Sequence, residues 1–167
     1  LFLKRLLKKF ISIPFRLNIF IKYKYIIFKV HKQKNKHNSM NSRNENNLKL
    51  GIIGYPLSHT LSPQIHEYWL KLHRISGTYE ILEVDDVGLD RLFCDNVHLY
   101  RGLNVTIPHK VRGFDYMDEV SDSARVIGAI NCITVENKKL IGYNTDADGF
   151  MNGLAAFNRD LDFSNMN

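Results

Sequence analysis

Residues 48 to 157 alternate between short apolar segments typical of strands and segments with apolar residues at helical spacing, and this alternation constrains the fold most. The predicted strands are residues 48–54, 79–84, 102–107, 129–135 and 140–143. The predicted helices are residues 62–74, 87–99, 111–117 and 121–128, and a last helix that follows Asn144-Thr145-Asp146 and runs through Phe150, Leu154 and Phe157 toward Leu161. Because strands alternating with helices indicate βαβ units, we expect an α/β domain with a mainly parallel sheet and helices on both faces.

Local residue types predict where several of these elements begin and end. Ser62 followed by Pro63 is typical of an N-cap and first-turn pair, Asp85-Asp86 and Ser121 are further candidate N-caps, and Gly128 is expected to end a helix. The polar turn Glu136-Asn137-Lys138-Lys139 separates the last two strands, which predicts a C-terminal antiparallel hairpin before the last helix. Inward-facing apolar residues of the second helix should be Leu89, Leu92, Phe93 and Val97.

The stretch from Gly102 to Lys110 carries the most informative polar residues. Asn104 and Thr106 alternate with apolar residues, so a strand here would place an amide and a hydroxyl on one face. Pro108 cannot donate a central-strand hydrogen bond and fits a first helical turn, so we expect a helix to begin there with Lys110 near its start. Because a helix N-terminus disfavours cations, either Lys110 contacts a specific group or it is an ordinary solvated lysine.

Charge divides the 167-residue chain into two parts. Residues 1–39 carry 11 of the 23 Lys and Arg and none of the 17 acidic residues, so the N-terminal part is +11 and the remainder is −5. The basic balance therefore describes the N-terminal part alone, and we do not expect nucleic-acid binding. The two cysteines, Cys94 and Cys132, have no CxxC spacing, so neither zinc binding nor a disulfide framework is predicted and the cytoplasm is the expected compartment.

Residues 1–39 begin with Leu1, and 30 of them are Leu, Phe, Ile, Tyr, Lys or Asn, which A/T-rich codons encode. We expect a spurious or alternative-start extension with Met40 as the natural start; a basic membrane-surface segment and a targeting peptide are the alternatives. The longest runs without charge fall far short of the ~18 to 20 apolar residues that span a bilayer. We therefore expect residues 1–47 to be an extraneous or disordered extension and linker, and residues 48–162 to be one folded domain.

The polar clusters of this domain consist of neutral donors and acceptors with one lysine and one aspartate. Such a set suits a small polyhydroxylated acid, because Asn, Thr and Ser side chains each donate and accept hydrogen bonds. A lysine beside an aspartate can exchange a proton with a ligand hydroxyl. For Thr60 and Ser62 taken alone, helix capping is the competing explanation.

Four motifs in order resemble the shikimate dehydrogenase family. They are Gly54-Tyr55-Pro56-Leu57-Ser58-His59-Thr60-Leu61-Ser62-Pro63-Gln64-Ile65-His66, residues 102–110, Gly128-Ala129-Ile130-Asn131-Cys132, and Gly142-Tyr143-Asn144-Thr145-Asp146-Ala147-Asp148-Gly149-Phe150. The resemblance covers about residues 49–160. It implies the N-terminal substrate-binding domain of an NADP-dependent oxidoreductase of aromatic amino acid biosynthesis, which converts 3-dehydroshikimate to shikimate.

The resemblance also implies a role for each matching residue. Thr60 and Ser62 would hold the substrate carboxylate, and Asn104, Thr106 and Asn131 would bind ring hydroxyls. Lys110 and Asp146 would be the catalytic pair, in contact with the substrate and exchanging a proton at the C3 oxygen. Thr60 stands where most members have serine, which leaves the preference between shikimate and quinate open, and Cys132 and Ala147 replace the family's usual threonine and glycine.

The chain lacks the second half of the family pattern. No G-x-G-x-x-G follows a predicted strand, and the sequence ends at Asn167 where a family member would begin its NADP-binding Rossmann domain. We therefore expect a truncated or split enzyme that is inactive alone and needs a separate Rossmann-domain polypeptide. The alternatives are a stand-alone module that binds shikimate or quinate and a gene fragment without function.

Overall fold

The computed structural model describes residues 47–157. A six-stranded sheet in the order β2-β1-β3-β5-β6-β4 forms its centre. The strands are β1 (Leu48–Gly54), β2 (Gly77–Glu83), β3 (Gly102–Val105), β4 (Glu119–Val120), β5 (Cys132–Glu136) and β6 (Lys139–Tyr143). The pairs β1–β2, β1–β3 and β4–β6 are parallel, and β5 is antiparallel to both of its neighbours. The predicted α/β architecture with a mainly parallel sheet is confirmed.

The helices connect these strands in the predicted order. They are α1 (Ser62–Leu72), α2 (Asp86–Arg91), α3 (Asp122–Ile127) and α4 (Asp146–Phe157). A π-helical turn (Leu92–Asn96) and a 3-10 turn (Val97–Leu99) continue α2, and a further 3-10 helix covers Arg112–Tyr116. Leu161, toward which we expected the last helix to extend, lies outside the described residues.

Side chains on the two faces of the sheet pack into two separate cores. Alternation along β1 sends Leu50 and Ile52 to one face and Ile53 to the other. The first face packs against Trp69 and Leu70 of α1. The second packs against the segment that begins with α2, where Leu89, Leu92, Phe93 and Val97 are all buried as predicted. Helices therefore cover both faces of the sheet.

Three of the predicted helix ends are confirmed. The Asp85 carboxylate accepts from the backbone N–H of Gly88 at 2.8 Å, and the Ser121 hydroxyl accepts from that of Ala124 at 3.3 Å. Gly128 closes α3 with a φ of 70°, a left-handed conformation that glycine adopts without strain. The hairpin of β5 and β6 is also confirmed, and its two turn residues, Asn137 and Lys138, have φ values of 51° and 65°.

Other boundaries differ from the sequence-based expectations. Ser62 is the first residue of α1 rather than its N-cap, and its backbone N–H donates to Thr60 Oγ1 at 3.3 Å. β3 ends at Val105, two residues before the predicted end. No helix begins at Pro108: the N–H of His109 donates to the carbonyl of Thr106 at 3.0 Å, so Lys110 lies in a turn before the 3-10 helix. β5 begins only at Cys132, and β4 was not predicted.

Candidate functional site

A cleft of about 340 Å³ opens where the loop after β1 faces the end of β3. Four of the predicted site residues line it: Thr60, Ser62, Asn104 and Thr106. Ser62 and Asn104 are buried, with 4% and 2% of their surfaces exposed, whereas Thr60 and Thr106 are partly exposed. The structure thus gathers hydroxyl and amide groups from two segments that are about 40 residues apart in sequence.

A glycine at the end of β1 allows the two sides of this cleft to meet. A Cβ on Gly54 would lie 2.5 Å from Thr106 Cγ2 and 2.9 Å from Leu57 Cδ2, which is closer than side-chain atoms approach. Two backbone bonds fix the same junction. The Thr106 N–H donates to the Ile53 carbonyl at 2.9 Å, and the Tyr55 N–H donates to the Ile107 carbonyl at 3.1 Å. The position of Thr106 therefore depends on the absence of a side chain at residue 54.

Asn104 is anchored from below the cleft by a residue of β2. The hydroxyl of Tyr79 donates to Asn104 Oδ1 at 2.7 Å, and both side chains are buried. Asn104 Nδ2 makes no hydrogen bond of ordinary geometry among the described residues. The ring of His66 stacks on that of Tyr79 with centroids 4.0 Å apart.

Burial lowers the pKa of His66 to about 3, and a side-chain contact with Asn104 opposes this shift. His66 is therefore neutral near pH 7, and the group beneath Asn104 carries no charge.

Lys110 and Asp146 form an ion pair with 2.5 Å between Nζ and Oδ2. Their side chains are 28% and 38% exposed, so the pair is accessible to solvent. The Lys110 carbonyl accepts from the N–H of Ile130 at 2.8 Å. The N–H of Asp146 donates to Asn144 Oδ1 at 3.0 Å, and Asn144 Nδ2 donates to the Ala129 carbonyl at 3.0 Å. The backbones on both sides of the pair are thus tied to the same short segment before β5.

Asn131 links the two groups of site residues. Its carbonyl accepts from the N–H of Val105, which lies between Asn104 and Thr106, at 2.9 Å. Its side-chain Oδ1 accepts from the N–H of Thr145 at 3.1 Å, and Nδ2 donates to Thr145 Oγ1 at 3.1 Å. The Asn131 amide is fully buried, and its bonds to Thr145 hold the residue that precedes Asp146.

A polar cluster beside the cleft holds the turn that carries Lys110. His109 is fully buried, its Nε2 donates to the Val84 carbonyl at 2.6 Å, and its Nδ1 lies 3.5 Å from Asp86 Oδ1. Arg112 is 3.2 Å from Asp86 and 2.7 Å from Asp90. Hydrogen bonding from Tyr116, together with the positive charge of Arg112, lowers the pKa of Asp90.

Within residues 47–157, no group of three or more His, Cys, Asp or Glu side chains is arranged to hold a metal ion. In that same range, no helix has the length and apolar character that crossing a bilayer requires.

Residues 52–133 match the family model described as the shikimate dehydrogenase substrate binding domain. This segment contains all of the cleft-lining residues and the buried strand β3. The described domain belongs to the shikimate dehydrogenase family. Asp146 and α4 lie beyond the residues that this family model matches.

Those relatives are NADP-dependent enzymes by name. The chain is 40% identical over 114 residues to shikimate dehydrogenase (NADP(+)) of Oceanobacillus iheyensis, covering 65% of this chain and 40% of that protein. It is 47% identical over 102 residues to the enzyme of the same name from Carboxydothermus hydrogenoformans, covering 60% and 36% of the two chains. The present chain therefore spans about two fifths of the length of these curated relatives.

A crystal structure of the Thermus thermophilus shikimate 5-dehydrogenase in complex with NADP(H) and shikimate has the same fold in this region. The two chains are 34% identical with a TM-score of 0.62, over 66% of this chain and 42% of that one. The family membership that the four motifs imply is thus confirmed.

The structure also identifies residues around the site that sequence analysis missed. Tyr79 and His66 support Asn104, and Asn144 and Thr145 support Asp146 and Asn131. Three of them lie within the quoted motifs, so their polar character inside a motif could have indicated a supporting role: His66, Asn144 and Thr145. Tyr79 lies outside the motifs, and only its register on β2 beside β1 brings it to Asn104.

Proposed function

We propose that this chain provides the substrate-binding and proton-transfer part of an NADP-dependent shikimate dehydrogenase that interconverts 3-dehydroshikimate and shikimate. The observation that carries the proposal is the ion pair of Lys110 and Asp146, because Lys110 follows by three residues a segment, 104–107, that lines a cleft of neutral hydroxyl and amide groups. The family membership of residues 52–133 supports it independently.

In this proposal the cleft binds the substrate through its polar lining. The hydroxyls of Thr60 and Ser62 hold the carboxylate at the start of α1, where free backbone N–H groups favour an anion. Asn104, Thr106 and Asn131 bind the ring hydroxyls. The Asn131 amide is bonded to Thr145 at both ends, and the Asn104 amide is bonded to Tyr79 through Oδ1 and also contacts His66.

Lys110 and Asp146 hold and move the proton at the C3 oxygen. The Lys110 ammonium donates to this oxygen during reduction, and Asp146 orients the ammonium and stabilises its charge. The nicotinamide of NADP exchanges the hydride with C3 when it is bound.

The proposal assigns NADP binding to a dinucleotide-binding domain outside these 167 residues, because no G-x-G-x-x-G occurs among them. Exposed apolar side chains near the ion pair support such a partner. Ile107, Val111 and Phe150 are 69%, 66% and 64% exposed, and each lies within four residues of Lys110 or Asp146. We propose that this chain alone binds substrate and does not turn it over, and that the intact enzyme acts in the cytoplasm.

A titration with shikimate tests the binding step. The isotope-labelled chain should bind with a dissociation constant on the order of millimolar, because only one side of the enzyme's cleft is present. Backbone amide signals of residues 58–62 and 102–110 should shift in the NMR spectrum. Thr106→Val removes a hydroxyl at nearly constant volume and should weaken binding by about tenfold.

The matched control is Thr78→Val, at an exposed threonine of β2 away from the cleft, which should bind like the parent. The proposed binding function is wrong if the signals of both loops stay unchanged at a shikimate concentration about ten times the expected dissociation constant or more.

A further inference from the structure

We infer that Tyr79 is a positioning residue for the cleft: its hydroxyl holds Asn104 Oδ1 and thereby fixes the orientation in which the Asn104 amide meets the ligand. This inference deepens the proposed function and rests on it. It concerns a residue of β2 that is not among the cleft-lining residues.

The hydrogen bond from Tyr79 fixes which end of the Asn104 amide faces which way. A side-chain amide has one accepting and one donating end, and the two ends have nearly the same shape, so only their partners decide which faces the cleft. The Tyr79 hydroxyl donates to Oδ1 at 2.7 Å in a buried environment. Turning the amide over would place Nδ2 against that hydroxyl and exchange the accepting and donating ends of Asn104.

Packing holds the Tyr79 side chain in place. Its ring is buried and stacks on His66 with an angle of 11° between the ring planes. It also belongs to the core cluster that includes Leu50, Trp69 and Cys132. A hydroxyl on so constrained a ring has little freedom to follow a rotating amide.

Asn104 joins this support to the cleft. It lines the cleft, its Oδ1 is held by Tyr79, and its side chain also contacts His66. Its Nδ2 is buried and makes no hydrogen bond of ordinary geometry among the described residues. Because buried polar groups are costly to leave poorly bonded, the orientation in which Tyr79 holds the amide affects how Asn104 receives a ligand.

The test compares substitutions of two buried tyrosines whose hydroxyls donate to different residues. Tyr79→Phe removes the bond to Asn104 and keeps the ring. Tyr100→Phe removes a bond of 2.8 Å from another buried tyrosine to Glu80 and leaves Asn104 untouched. Tyr79→Phe should raise the dissociation constant for shikimate about tenfold, and Tyr100→Phe should leave it at the parent value although both variants lose stability.

A double-variant cycle separates positioning from a general structural effect. In an Asn104→Ala background, Tyr79→Phe should change the dissociation constant by less than about twofold, because the residue through which it acts is gone. If Tyr79→Phe binds like the parent, or weakens binding equally in both backgrounds, the inference is overturned.

The role of Tyr79 can also be measured without ligand. This separates it from the proposed function, which is refuted if the parent does not bind shikimate. The order parameter of the Asn104 Nδ2–H bonds, measured by ¹⁵N relaxation, should be the same in the parent and in Tyr100→Phe and lower in Tyr79→Phe, because the amide then samples both orientations. An unchanged order parameter in Tyr79→Phe would overturn the inference.

Discussion

Lys110 and Asp146 are 36 residues apart in sequence, yet their side chains meet at 2.5 Å. Backbone bonds fix both residues: Ile130 binds the Lys110 carbonyl, and Asn144 binds the Asp146 N–H. An exposed ion pair contributes little to stability, about 0 to 1 kcal/mol. Lys110 thus contacts a specific group, Asp146, and the catalytic role that the resemblance implies for the pair stays a prediction.

Lys110→Ala tests this at the level of one residue. In a chimera that joins this chain to the remainder of the Oceanobacillus iheyensis enzyme, Lys110→Ala should lower kcat by about 10² to 10⁴ and change KM far less, because proton transfer matters in the transition state. The control is Lys71→Ala, at an exposed lysine in the last turn of α1. A Lys110→Ala enzyme within about twofold of the parent kcat would contradict the catalytic assignment.

Local sequence patterns predicted the residues that line the cleft better than the residues that hold them in place. Asn104 and Thr106 alternate with apolar residues, so their shared face could be inferred from strand periodicity, and both line the cleft. Tyr79 could not be inferred in this way. Its side chain reaches Asn104 only through strand pairing across β1, and such non-local contacts leave no local pattern in the sequence.

At the scale of elements, the junction of β1 and β3 decides the shape of the cleft. The strands are parallel and in register, with Ile53 opposite Val105, so both chains leave the sheet at the same edge. In open α/β sheets the carboxyl ends of parallel strands are where ligands bind. Thr106, the residue after β3, lines the cleft, and Gly54, the last residue of β1, lies directly beside it.

Gly54→Ala should disturb both folding and ligand binding, because its Cβ would lie 2.5 Å from Thr106 Cγ2. We expect a lower Tm and a dissociation constant for shikimate raised by about tenfold or more, since overpacking of this kind costs about 1 to 3 kcal/mol. Gly51→Ala is the matched control in the same strand. Its Cβ would meet the Glu80 carbonyl oxygen at 3.0 Å, so it should lower Tm without changing affinity. Equal affinities for both variants would show that Gly54 does not shape the cleft.

The order of the elements could be predicted because each helix and strand has a local pattern. The conformation of the segment after β3 could not be predicted in this way. Pro108 has the residue type of a helix start, and yet the chain turns through residues 106–110 before a 3-10 helix. The buried contacts of His109 with the Val84 carbonyl and Asp86 explain this difference, because they tie the turn to the chain between β2 and α2. Tertiary contacts here override the local preference.

At the scale of the whole domain, one sheet separates two cores that differ in chemistry. The core that includes α2 is formed by apolar side chains, among them Ile53, Leu89 and Ile130. The core that includes α1 adjoins the His66–Tyr79–Asn104 group, so it combines apolar packing with buried polar groups. Buried polar groups make stability depend on solution conditions in a way that apolar packing does not.

His66 therefore predicts how the stability of the domain depends on pH. Its pKa is about 3 in the folded state against 6.5 for an ordinary histidine, because burial disfavours the charged form. Between these values the unfolded chain binds the extra proton, so this contribution to stability is complete above pH 6.5 and is lost as pH falls toward 3. From pH 7 to pH 5 the parent should lose about 2 kcal/mol more unfolding free energy than His66→Gln. Urea denaturation at the two pH values measures this difference, and His98→Gln, at an exposed histidine, should behave like the parent. Equal losses in the parent and His66→Gln would mean that protonation of His66 does not set the acid sensitivity of the fold.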